Sequence, residues 1–182
     1  ELASTTSTLR PGQPIELTWD NGQGQVFKNT IALDQDYLFT VTQSVENNGT
    51  TPVRLFPYGT IARHGLPDDL RNFFVLHEGM IMAADGETPL DSYGSIRDYT
   101  VDPRERAAVE STQVQENGWI GLTDQYWMSL LIPKPGQGFN AVTKYNSAGD
   151  IYQTETRQNV VEVAPNTTAD TTSHVFAGAK EW

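Results

Sequence analysis

The chain has 182 residues, enough for one domain with a buried core, and at 37% hydrophobic and 10% aromatic it is too apolar for a disordered segment. Its formal net charge is −11, and its Lys and Arg are scattered, which disfavours nucleic acid and anionic lipid as partners, since both are held by clustered cations. With no cysteine, disulfides, thiolate metal sites and cysteine nucleophiles drop out together.

Residues 1–12 are Ser/Thr-rich and are expected to be loose; nothing there reads as a signal peptide. Ile15 to Trp19 is the first predicted strand, closed by the turn Asp20-Asn21-Gly22, and Val26 to Leu33 is the second. Tyr37, Phe39, Val41 and Val45 share one parity while Thr40, Thr42, Ser44 and Glu46 share the other, so this strand predicts one buried and one wet face. Asn47-Asn48-Gly49 predicts a tight hairpin turn, which makes Val53 to Tyr58 its partner strand.

Leu66 to Arg71 predicts one helical turn, with acidic residues near its start. Short strands are predicted at Phe73 to His77 and Met80 to Ala84, with Asp85-Gly86 as a turn. Pro103 to Ala108 predicts a second helical turn, with Pro at its first position. Strands follow at Val109 to Gln115, Trp119 to Thr123, Tyr126 to Ile132, Phe139 to Tyr145, Ile151 to Thr156, Val160 to Val163 and His174 to Ala177. The loop Asn146 to Asp150 joins two of them, and Asn166 to Thr172 reads as a polar surface loop. Many short strands with turn residues between them indicate an all-β sandwich or barrel. No linker divides residues 1–182, and no stretch approaches the ~20 apolar residues of a membrane-spanning helix. Trp119, Tyr126 and Trp127, with Phe56 and Tyr58, are expected in the core; the competing reading is an exposed row that stacks on sugar rings.

No motif assembles a catalytic or metal centre. His77-Glu78 would begin a zinc-protease helix, but the second His, due at position 81, is Ile. Ser95 lies between Gly94 and Ile96, without the flanking glycines of a nucleophile elbow. The carboxylate pairs Asp34/Asp36, Asp68/Asp69 and Glu78/Asp85 could serve acid–base work only if they faced each other across a cleft; Asp at a strand end more often caps a turn.

The order Gly118-Trp119, Gln125-Tyr126-Trp127, Ile132-Pro133 resembles the large periplasmic domain of the YidC-type membrane protein insertases of Gram-negative bacteria. Leu17-Thr18-Trp19-Asp20-Asn21-Gly22 with Val26-Phe27-Lys28, the segment Tyr37 to Asn47, and His174 to Lys180 resemble further parts of the same domain in the same order. The resemblance implies a β-supersandwich of the galactose-mutarotase type and a periplasmic domain of an inner-membrane protein. Against that family the chain looks trimmed, without the first strands and without the helix that returns to the membrane. The resemblance further implies a non-catalytic interaction and scaffold domain that contacts the Sec translocon through its accessory subunit SecF. Inner-membrane protein clients would engage the rest of the protein. No cofactor, metal or catalytic residue is implied. The partner face is expected within Val53 to Tyr99, with Arg63, Asp69 and Arg71 as contact residues. A carbohydrate-binding module is the alternative, followed by a mutarotase-like enzyme using His64, His77 or His174 with a carboxylate such as Glu78.

Overall fold

The computed structural model describes residues 7–67, 70 and 76–180. In chain order its strands are β1 (Ile15–Asp20), β2 (Gln25–Leu33), β3 (Leu38–Asn47), β4 (Val53–Leu55), β5 (Tyr58–His64), β6 (Gly79–Ala84) and β7 (Leu90–Ser92). A five-residue helix, α1 (Tyr93–Arg97), follows. After it come β8 (Val101–Asp102), β9 (Ala107–Val114), β10 (Gly118–Thr123), β11 (Trp127–Pro133) and β12 (Phe139–Asn146). The series closes with β13 (Ile151–Gln158), β14 (Val161–Val163) and β15 (Thr167–Ala179). The chain divides into two compact units: Glu1–Pro57 with Asn159–Val175, and Tyr58–Gln158 with Phe176–Trp182.

In the first unit β1, β2 and β3 form an antiparallel meander, with β15 beside β3. The β1–β2 turn is built as its sequence demands. Gly22 takes a φ of +70°, while the side chains of Asp20 and Asn21 accept the amides of Gly22 and Gln23, each at 2.8 Å. The hydrophobic alternation of β3 does not become an in-and-out pattern, because every residue before Asn47 is half-buried. Its polar face is partly covered by cross-strand partners, with Thr40 bonded to His174 at 3.2 Å and Thr42 to Thr172 at 3.1 Å.

Two expectations fail here. The segment after Asn47-Asn48-Gly49 does not pair with β3; β4 pairs with β14. Neither Asn48 nor Gly49 takes the positive φ that a two-residue hairpin requires, and both edges of β3 are already occupied by β2 and β15. Asn47 is instead a fully buried junction. Its Nδ2 donates to the carbonyls of Thr51 and Val163, both at 2.9 Å, and its Oδ1 accepts from Gln25 and Gly49, both at 3.1 Å. Of residues 166–172, expected as a loop, Asn166 is a turn residue with a φ of +56° and residues 167–172 enter the long strand β15. The polarity that suggested a loop comes largely from Thr, whose branched side chain suits a half-wet strand.

The second unit is a sandwich. One layer orders β5-β13-β12-β9-β8, and the other runs from the end of β15 through β11, β10 and β6 to β7. Phe139, Val142, Tyr152 and Val114 meet Ile120, Met82 and Leu131 in the core, together with Tyr93 and Ile96 of α1. Asp85 and Gly86, with φ of +49° and +100°, make the tight β6–β7 turn expected of them. The helix falls where none was expected: Ser92 caps it by accepting the amide of Ser95 at 3.1 Å, and Tyr93 and Ile96 anchor it. Pro103 to Arg106 is not helical but the turn from β8 to β9, closed by Arg106 N–H on the Asp102 carbonyl at 2.9 Å. In the expected turn at Leu66 to Arg71, Leu70 N–H donates to the Pro67 carbonyl at 3.1 Å; Asp68, Asp69 and Arg71 lie outside the described residues. The strand expected at Phe73 to His77 lies outside them up to residue 75, and Leu76 and His77 are irregular.

The aromatic expectation is also corrected. Tyr126 and Trp127 are 56% and 64% exposed, Phe56 and Tyr58 are equally open, and Trp119 is half-buried. The core volume is taken by Phe139, Tyr93 and Tyr152, and Tyr126 and Trp127 sit at the mouth of β11, beyond the packed zone.

Candidate functional site

The second unit carries a cleft of about 380 Å³ between β5 and the start of β11. Ile61, Ala62, Arg63 and His64 form one wall, and Trp127, Met128 and Ser129 the other. Tyr93, Leu122 and Asp124 form its floor. Asp124 stands in the short connection between two apolar strands, so its carboxylate is carried to the edge of the core.

Three groups converge on Asp124. Arg63 Nη1 is paired with its Oδ2. The Tyr93 hydroxyl donates to its Oδ1 at 2.6 Å, and Lys180 Nζ donates to its backbone carbonyl. Burial pushes the Tyr93 phenol far above its ordinary range, and the Asp124 carboxylate adds to that. Burial lowers Lys180, against the attraction of Glu78 and Asp124. The cleft therefore offers a compensated ion pair, a phenol locked in its protonated form and an exposed indole.

Of the expected contact residues, Arg63 lies in this cleft with its guanidinium committed to Asp124, while Asp69 and Arg71 lie outside the described residues. The histidines do not converge. His64 lines the cleft, His77 Nε2 is 2.7 Å from the Met80 carbonyl, and His174 belongs to the first unit beside Thr40. Among the described residues no group of three or more His, Asp or Glu could hold a metal ion. Ser95 bonds the cap residue Ser92. Asp34 accepts the amides of Asp36 and Leu38 at 2.8 and 2.9 Å, a turn role. Asp85 serves the backbone. It accepts the amides of Gln115, Glu116 and Asn117 at 2.6, 3.0 and 3.0 Å, and these bonds lower its pKa. Asp124 and Tyr93 carry no motif in the sequence, and Trp127 is marked only by the family resemblance and as an expected core aromatic. A Thr-Asp-Gln step between two apolar strands was the one available sign.

A second charged cluster lies on the layer of β12 and β13. Arg157 grips Glu105 at 2.8 and 3.0 Å and Glu155 at 2.7 Å, while Lys144 pairs with Glu155 and, at 3.3 Å, with Glu105. Two cations and two carboxylates alternate, so the charges cancel locally.

The fold is of the galactose-mutarotase type. Solved structures carry the same fold: a candidate aldose 1-epimerase from Escherichia coli K12 matches with a TM-score of 0.62 at 12% identity, over 99% of this chain and 68% of that one. A galactose mutarotase related enzyme from Lactobacillus acidophilus matches with a TM-score of 0.57 at 12% identity, over 100% of this chain and 73% of that one. At the level of sequence the chain belongs to the YidC periplasmic domain family, which it matches over residues 1–182. It is 52% identical over 177 residues to the membrane protein insertase YidC of Cereibacter sphaeroides, covering 97% of this chain and 28% of that protein. It is 53% identical over 174 residues to that of Paracoccus denitrificans, covering 96% and 27%. The chain thus spans less than a third of these relatives' length, and it corresponds to the periplasmic part of a membrane protein. Among the described residues no helix is long and apolar enough to cross a membrane.

Proposed function

We propose that this chain is a non-catalytic interaction and scaffold domain of an inner-membrane protein insertase, and that its partner in the periplasm is the Sec accessory subunit SecF. Membership of the YidC periplasmic domain family carries this reading. The site chemistry supports it, because three of the groups that could do acid–base work are spent on structure. His77 meets a backbone carbonyl, Asp85 three backbone amides, and Asp124 is held by Arg63 and Tyr93. The mutarotase-like neighbours share the fold at 12% identity, and fold alone does not carry an activity.

The test is deletion of this segment from a full-length insertase whose membrane part still folds. Insertion of client proteins should largely persist, while crosslinking to SecF should fall. Complete loss of insertion, or unchanged SecF crosslinking, overturns the reading.

A further inference from the structure

The dipeptide Asn-Gly occurs at residues 21–22, 48–49 and 117–118. An asparagine in that setting is open to attack on its own side-chain amide, because glycine has no side chain to shield the next backbone nitrogen. The three copies sit in different surroundings. Asn117-Gly118 enters β10, where Gly118 lies in the ladder with β6. At Asn48-Gly49 the Gly49 N–H donates to Asn47 Oδ1 at 3.1 Å, a neutral amide oxygen that takes up a proton poorly. Asn21-Gly22 is the β1–β2 turn, with Gly22 exposed and Asn21 half-buried.

Around Asn21 the turn gathers what the attack needs. Gly22 N–H donates to Asp20 Oδ1 at 2.8 Å, so the attacking nitrogen already has a carboxylate on its proton, within the reach of a general base. Asn21 Oδ1 accepts the amides of Gln23 and Gln25 at 2.8 and 3.1 Å. Those two donors polarise the side-chain carbonyl and stand where negative charge grows on its oxygen during the attack. Asn21 Nδ2 donates to Gln25 Oε1 at 2.9 Å, which fixes the orientation of the side-chain amide.

We propose that Asn21 is a site of spontaneous covalent modification, a conversion to aspartate and isoaspartate that the turn itself promotes, with Asp20 as the base and the amides of Gln23 and Gln25 as the oxyanion donors. The Gly22 nitrogen attacks Asn21 Cγ and a C–N bond forms, while the proton on that nitrogen passes to Asp20. The Cγ–Nδ2 bond breaks, and Nδ2 leaves as ammonia with the proton that Asp20 returns. Water then opens the succinimide at either carbonyl, to aspartate or to isoaspartate, and nothing is oxidised or reduced. The product matters to the fold. The Nδ2 donor to Gln25 Oε1 is lost, and a new carboxylate stands beside that of Asp20. Gln25 Nε2 also holds the buried Asn47 at 3.1 Å, so the change reaches the junction at the end of β3. In the isoaspartate form the main chain gains a carbon, which shifts the amides of the turn out of register. β1 ends its sheet with β2 as its one strand neighbour among the described residues, so a single ladder resists the loosening. Each molecule would thus carry an irreversible mark of age in its first unit.

The test holds the 182-residue chain at neutral pH and reads the nitrogen-for-oxygen exchange at each Asn-Gly by peptide mass mapping. A methyltransferase specific for isoaspartate, with a labelled methyl donor, reads the linkage of the product. In the folded chain Asn21 should convert about a hundredfold faster than Asn48 or Asn117, the lower end of what a positioned base supplies. In urea, with the turn dissolved, Asn21 should slow and the three rates should converge. Asp20→Asn keeps an acceptor for the Gly22 amide but removes the base, and should bring Asn21 down to the rate of Asn48. Should that variant fail to fold, the comparison with urea on the unaltered chain decides alone. Equal rates at the three sites in the folded chain, a faster conversion of Asn21 in urea, or an unchanged rate in a folded Asp20→Asn variant overturns the proposal.

Discussion

Glu105 is the residue whose charge matters most to the surface of the β12–β13 layer. Hydrogen bonds from Arg157, with help from Lys144 and against its own partial burial, hold its carboxyl at a pKa of about 2, down from 4.5. A depressed pKa means that the folded state binds the proton less readily than the unfolded chain does. The stabilisation is therefore complete above pH 4.5 and is lost as the pH falls from 4.5 toward 2. Urea midpoints measured across that range should fall steeply for the natural chain, and Glu105→Gln should flatten the slope while lowering the midpoint at pH 7. An unchanged slope would show that the four-charge cluster is not formed in solution. None of this is visible in the sequence, because the partners Glu105, Lys144, Glu155 and Arg157 are brought together by the pairing of β12 with β13 and by the turn before β9. For the same reason the Arg63–Asp124 pair could not be foreseen, although Arg63 itself had been singled out.

At the level of elements, apolar runs bounded by turn residues found most strands, including β10 to β13. What failed was pairing. Asn-Gly at residues 48–49 looks like a hairpin, yet the Asn47 side chain is worth more to the fold as a buried four-bond junction than a tight turn would be. The short helix α1 escaped because its periodicity covers barely more than one turn and its stability comes from the tertiary burial of Tyr93 and Ile96. Within β10, Gly121 sets how closely β11 can approach. A Cβ placed there would stand 1.9 Å from the Ser129 carbonyl and 2.8 Å from the Leu130 Cα. Both are backbone atoms and cannot swing aside, so Gly121→Ala should cost about 3 kcal/mol, at the upper end of overpacking penalties. Chemical denaturation of the purified chain would measure it, and a loss below about 0.5 kcal/mol, the range of neutral surface changes, would mean that β10 and β11 lie farther apart than described.

For the molecule as a whole, the all-β class was legible from periodicity alone, while the family rested on the collinear order of weak motifs, which the 52% identity to a relative now supports. The two-unit division was not legible, because no change of composition marks Pro57 or Asn159. That division has a consequence in time. A chain that emerges N-terminus first presents β1 to β4 early, but their partners β14 and β15 arrive only after the whole of Tyr58–Gln158. The middle of the chain holds both layers of its own sandwich except for the last residues of β15, so its closures in sequence are shorter and should be faster. Pulse-labelled exchange during refolding should protect the amides of β9 to β13 before those of β3, and the reverse order would contradict it. A domain threaded through a membrane as it is made would then spend its first moments with its opening strands waiting for the last ones to arrive.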